Sequence, residues 1–229
     1  MTDVNPKPVA KEDLKGKFTR PDNYVLDDEQ RERITIARVQ LLMNHAFFGN
    51  LATRLRIVEA SDWCPTAATD GRHFYYNQYF VKELDDLELL FLMAHEVLHC
   101  VYDHMDRRGD RDPSGWNVAA DYAINQILDD ENIGSKPTGN DAPLLDSKYR
   151  DLSAEQIYDG LSDSQKQQST LDVHIDLDKG EATVKDKNGK EKKLKMPKLS
   201  KAEQDQLKDE IKNSLLQSAK AAQSGAGSI

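Results

Sequence analysis

The chain has 229 residues, 38 % hydrophobic and 31 % charged, with a formal net charge of −9; that length suits one domain with appendages, and the acidic balance argues against nucleic acid as a main partner. No stretch approaches the length of a membrane span, and Cys64 and Cys100 are too few and too isolated for a disulfide framework. The N-terminus, Met-Thr-Asp-Val-Asn-Pro, has no basic-then-apolar signal region, so a cytoplasmic protein is the expectation.

Composition shifts near residues 160–165. Every Arg, Trp, Cys and aromatic residue lies before position 159, and residues 1–163 carry net −12. Residues 164–229 carry thirteen Lys against ten acids. The reading is a flexible arm at 1–26, a folded domain at 27–163 and a Lys-rich tail at 164–229.

Asp27 or Asp28 can cap a first helix. It runs through Ile34, Ala37, Val39, Leu41, Leu42 and Ala46 and stops near Gly49. Its apolar face makes it a core helix, and His45 reads as a packing or capping residue rather than a ligand. Leu55, Ile57 and Val58 lie in a β-prone run, 53–60; an Asp70-Gly71 turn then precedes a second strand, His73–Tyr76. Together they suggest a small antiparallel sheet, with Asn77 capping a short helical turn after it.

The next helix, about 84–106, carries the informative motif. Leu84, Leu87, Leu90, Leu98 and Val101 recur at helical spacing, and no Gly or Pro interrupts residues 83–108. Within it, His95, Glu96 and His99 form the pattern H-E-x-x-H. Residues i and i+4 share a helix face, so both imidazoles can reach one metal ion. Glu96 can lean over that ion without ligating it and take a proton from an activated water. A helix whose histidines are merely packed would leave polar groups in an apolar run without partners, which is costly.

After a Gly-Asp-Arg-Asp-Pro loop at 109–113, Asp112 or Ser114 can begin a helix over about 115–130. Residues 131–150 read as a surface loop pinned by Leu144 and Leu145. Ser153 and Gln156 form a capping box for a short helix at about 154–161. In the tail, Val173, Ile175 and Leu177 alternate with polar residues, Asp178-Lys-Gly180 and Asn188-Gly189 mark turns, and a small β meander is expected. Ser200 and Glu203 form a second capping box opening an amphipathic helix to about 219, after which the chain reads as flexible.

A catalytic zinc takes three protein ligands and keeps one position open. His104 lies five residues beyond His99 and, on a continuous helix, points about 140° away from it; it fits as a ligand only if the helix ends early, and reads instead as a surface histidine or one that supports a ligand from behind. Asp121 is the stronger third ligand. Asn117, Asp121 and Asn125 form a polar stripe on a helix otherwise lined by Val118, Ala119, Ile124 and Ile127. A metal, with Asn117 or Asn125 bonding one of its ligands, would supply partners for that stripe.

Four strings in order, Ala67-Ala-Thr-Asp-Gly-Arg72, Tyr75-Tyr-Asn77, Ala94-His-Glu-Val-Leu-His-Cys100 and Trp116-Asn-Val-Ala-Ala-Asp-Tyr-Ala-Ile-Asn125, together resemble the metallopeptidase domain of bacterial and phage proteins that often precedes a von Willebrand factor A-like domain. Leu152-Ser-Ala-Glu-Gln-Ile-Tyr158 resembles the end of that domain, so the resemblance covers about 28–161. It implies an α+β, zincin-like fold, mainly helical with a small antiparallel sheet beside the H-E-x-x-H helix, one zinc ion per chain and peptide-bond hydrolysis. By position, His95, His99 and Asp121 are then metal ligands and Glu96 is the general acid/base. A von Willebrand-type domain would begin where this chain stops, which makes it a short member or a fragment.

The expected function is a zinc-dependent peptidase acting on peptide or protein substrates, with residues 73–77 as an edge strand for an extended peptide and Tyr122, Tyr102 or His104 as donor to the oxyanion. The competing expectation is a metal-stabilised protein-binding module without proteolytic activity, whose Lys-rich tail docks a protein partner. Glu96 favours the enzyme, because a structural zinc has no use for it.

Overall fold

The computed structural model describes residues 20–21, 23–139, 142–177, 179–185, 191–196 and 198–226. Helix α1, Asp28–Asn44, is capped by Asp27, whose side chain accepts the Glu29 N–H. It ends five residues before Gly49. The chain turns at His45 and folds back as α2, Ala46–Ala52. A Cβ on Gly49 would stand 2.1 Å from the Leu42 Cα, so glycine alone permits this close return.

Strands β1, Arg56–Glu59, β2, Ala67–Thr69, and β3, His73–Tyr76, form a sheet in the order β1-β3-β2. The sheet is mixed, not antiparallel: β1 runs parallel to β3, and only β2 pairs antiparallel with it. The Asp70-Gly71 turn joins β3 to β2. Asp70 Oδ1 accepts the Arg72 and His73 N–H groups at 2.9 and 2.7 Å, and Gly71 takes φ +83°. This tight turn sets Thr69 opposite Phe74, leaving the far side of β3 to β1. Strand β3 is therefore central, and β2 is an edge.

Asn77 caps α3, Gln78–Glu83, accepting the Tyr79 and Phe80 N–H groups. Helix α4, Asp86–Val101, opens with an Asp85/Glu88 capping box and is buried from Leu89 through Cys100. Leu87, expected on the apolar face, is exposed. The helix ends at Val101 because Asp103 adopts a left-handed conformation, φ 52°. A short helix α5, His104–Arg107, follows. Helix α6, Pro113–Asp130, starts from Asp112, which accepts the Gly115 N–H, with Pro113 in the first turn. The loop after α6 lies against the start of α4. Ser135 N–H donates to Leu87 O, and Gly134 sits at φ +67° where a Cβ would meet that same carbonyl at 2.4 Å. Helix α7, Ala154–Gly160, carries the Ser153/Gln156 capping box.

The tail folds as a meander of β4, Ile175–Asp176, β5, Glu181–Lys185, and β6, Glu191–Lys195, antiparallel throughout. It is followed by α8, Lys201–Ala226, which runs past the expected end near 219. The arm at 1–19, the Asn188-Gly189 turn and residues 227–229 lie outside the described residues.

One apolar cluster surrounds α4, drawing on Ile34, Leu41, Phe80, Ile124, Leu128 and, from the tail, Leu171. A second joins Trp63, Cys64 and Tyr75 to Val173, Ile175, Leu177, Ala182 and Leu194 of the tail. The stretch 171–177 thus lies at the junction of both. Among the described residues, no helix is long and apolar enough to cross a membrane.

Candidate metal centre

Helices α4 and α6 pack side by side in the core, and their polar residues meet in its interior. His95, Glu96, His99 and Asp121 are at most 2 % exposed. One helical turn separates the two histidines, and their Nε2 atoms converge to 3.1 Å. Asp121 Oδ1 lies 3.9 Å from His95 Nε2 and 3.5 Å from His99 Nε2.

Both rings are held from behind. His95 Nδ1 and Asn125 Oδ1 are 2.8 Å apart, and Asn125 Nδ2 donates to Leu144 O, which turns the amide oxygen towards the ring. His95 Nδ1 is therefore the donor, which leaves Nε2 as the ring atom directed at the centre. The polar stripe finds a partner as expected, through Asn125. His99 Nδ1 lies 3.2 Å from His104 Nδ1. Burial and the neighbouring His99 hold His104 well below its usual pKa, so its neutral ring can accept the His99 proton. His104 reaches this position because α4 ends early, but it stands behind His99 rather than beside the centre. Its own carbonyl accepts the Trp116 Nε1–H.

Two residues complete the cluster that the motif reading did not single out. Asp172 Oδ1 lies 3.4 Å from His95 Nε2, and Asp172 Oδ2 lies 3.8 Å from His99 Nε2. His174 Nε2 lies 3.0 Å from both Asp121 Oδ1 and Asp172 Oδ1. Ligand atoms of His95, His99, Asp121 and Asp172 all fall within 4.8 Å of one another, a grouping that can hold a metal ion. For metal–ligand bonds of about 2.0–2.1 Å, the edges of a tetrahedron are about 3.3 Å. The separations between ring nitrogens and carboxylates, and between the two rings, scatter around that value.

The electrostatics favour a cation. Burial works against charge at His95, yet the Asp121 and Asp172 carboxylates outweigh it and raise the pKa to about 9. Burial and the His174 charge lower His99 to about 4. At His174 burial is again outweighed by Asp172 and Asp121, giving about 10. Burial, reinforced by Asp172, pushes Glu96 well above the usual carboxylate range. Among the described residues, both Glu96 oxygens and Asp121 Oδ2 are buried without a hydrogen-bond partner. Three acids in one buried space, three of their oxygens so placed, are costly unless positive charge balances them. A divalent ion together with a protonated His174 would supply it. The donor set of two imidazoles and carboxylates suits such an ion.

Residues 29–229 match a family described as putative metallopeptidase domain. The chain belongs to that family. No curated protein and no solved structure matches it. The family match extends beyond the 28–161 covered by the motif resemblance and takes in the tail with Asp172 and His174.

Of the expected oxyanion donors, Tyr122 is turned away, its hydroxyl donating to Gln168 Oε1. Tyr102 is partly exposed and stacks on His104. Openings to the surface reach the cluster on two sides. One is lined by His99, His104, Trp116 and His174, the other by Pro65, Thr66, Ser114 and Thr170. Both share Asn117, Asp172, Val173 and Thr183.

Signals for Asp172 and His174 do exist in the sequence. Asp172, His174 and Asp176 alternate with Leu171, Val173, Ile175 and Leu177, and His174 is the one histidine after position 104. A period-2 pattern shows that these polar residues share a side, but not what that side faces.

Proposed function

We propose that this protein is a metal-dependent peptidase, with zinc as the ion and His95, His99 and Asp121 as its ligands. The observation that carries the reading is Glu96. Its carboxylate is fully buried one residue from His95, feels the charges of Asp172, His95, His174 and Asp121, and has no hydrogen-bond partner among the described residues. A purely structural site gives no reason to keep an unsatisfied acid in the core. A divalent ion held by these residues would polarise the scissile carbonyl and make an adjacent water acidic.

The side chains then have separate tasks. Asn125 and His104 fix the orientation of the two rings, so both Nε2 atoms stay directed inward. Glu96, raised in pKa by burial and Asp172, takes a proton from the attacking water and passes it to the leaving amine. Strand β3 is covered on both sides, so pairing with an extended peptide falls to an outer strand, and β2 is the one beside the Asp172 stretch, where Val173 N–H meets Ala67 O.

One observation favours the other reading, a metal-stabilised binding module: Asp172 is a fourth protein donor, and four protein donors make a closed structural site. Replacement of Glu96 by Gln separates the two. The Glu96→Gln protein should bind metal like its parent but cleave peptides at least a hundredfold more slowly. Equal and measurable cleavage by the two proteins would sink the peptidase mechanism.

A further inference from the structure

The fourth donor does not belong to the frame that holds the other three. His95, His99 and Asp121 stand on α4 and α6. Asp172 stands on an irregular stretch, 168–174, that leads into β4. That stretch lies along the edge of β2, where Val173 N–H donates to Ala67 O at 2.8 Å. Leu171 and Val173, on either side of Asp172, are buried in different apolar clusters, one around α4 and the other around Trp63 and Tyr75. A backbone bond to a sheet edge with flanking side chains in separate apolar sites is how an extended peptide binds an edge strand.

Two further observations fit an occupied groove. The openings on the two sides of the cluster are both lined by Asp172 and Val173, so the stretch borders each of them. Glu96 meanwhile is fully buried, out of reach of bulk solvent, although a general base needs a water within reach. With Asp172 as a fourth protein donor, a tetrahedral ion held here would have no position left for that water.

We propose that residues 170–174 are an internal plug and that the protein is a latent peptidase. Asp172 fills the fourth position around the ion, and Leu171–Val173 cover the edge of β2 where a substrate peptide would pair. This rests on the metallopeptidase reading above. His174 fastens the plug by bridging the Asp172 and Asp121 carboxylates, and the Arg108–Asp176 ion pair anchors its far end. The mostly exposed polar run Ser162–Ser169 precedes the plug, and its Tyr122–Gln168 and Tyr149–Gln165 hydrogen bonds would have to give way for the plug to swing out. Activation then consists of displacing 170–174 while α4 and α6 keep the ion.

Two variants loosen the plug in different ways. Asp172→Asn removes the anionic donor with little change in shape. Val173→Pro removes the N–H that reaches Ala67 and leaves Asp172 intact. Each is compared with wild type, with folding checked by circular dichroism. With cobalt(II) in the site, visible absorption is recorded with and without azide, which binds only at an open position. With zinc, hydrolysis of a mixture of internally quenched random peptides is followed. The expected result is a wild-type spectrum indifferent to azide, azide-sensitive variants, and cleavage at least tenfold faster in the variants. An azide-sensitive wild type, or folded variants no faster than wild type, overturns the plug. So does loss of metal from Asp172→Asn, which would make Asp172 an obligatory ligand and leave the peptidase reading standing. If Val173→Pro does not fold, Asp172→Asn decides alone. A wild type that takes up no metal removes both proposals, whereas Glu96→Gln placed in the Asp172→Asn background and cleaving as fast as Asp172→Asn alone removes the peptidase reading on its own.

Discussion

Helix α4 and the tail stretch 168–177 each bring an acid and histidine to the same few ångströms, by different means. In α4 the spacing of His95 and His99 is imposed by the local hydrogen-bond ladder, so convergence needs nothing beyond a helix. In the tail, Asp172 and His174 arrive from more than fifty residues beyond α6 Asp121. They are held by a backbone bond to Ala67, the burial of Leu171 and Val173, the His174 bridge between Asp121 and Asp172 and, at the far end, the Arg108–Asp176 ion pair. The first arrangement is rigid by construction. The second depends on contacts that can be exchanged for others, which suits a ligand that comes and goes better than one that must stay.

The comparison breaks most sharply if the frame can be spared. His99→Ala or Asp121→Ala should weaken metal binding more than a hundredfold, measured by competition with a chelator, because even residues that only orient a ligand are worth about 10–100-fold. Retention of metal by either variant would shift the centre towards the tail. Asn125→Ala tests the orienting layer. It frees the His95 ring without touching the tail, and a loss of about 10–100-fold in affinity is expected. An unchanged affinity would mean that α4 alone holds the ring.

A gentler probe is pH. In the metal-free protein His95 has a pKa of about 9, so below that value its proton competes with the ion; His99, at about 4, is already neutral. Affinity should therefore rise about tenfold per pH unit between 6 and 8, with about one proton released per ion bound. A flat profile would show that no proton leaves His95 when the ion binds.

Regular elements and caps were legible in the sequence because they are decided locally. Asp27, Asn77 and the Ser153/Gln156 pair start their helices where residue type and spacing place them. The sheet was less legible. The Asp70-Gly71 turn is a local signal and is present, but which strand it joins to β3 depends on β1 crossing to the other side, which no turn residue records. His104 shows the same limit. On an unbroken α4 it points away from His99; the left-handed Asp103 brings it back.

By itself the sequence determined a helix carrying His95, Glu96 and His99 on one core-facing stretch, and a second helix with Asp121 and Asn125 in register, because helical periodicity turns spacing directly into geometry. Only the tertiary structure decided that Asp172 and His174 close the same centre. Their alternation with Leu171, Val173 and Ile175 defines two sides of an extended segment, but which side meets α4 and α6 is settled by the packing of Leu171 and Val173 into two separate apolar clusters.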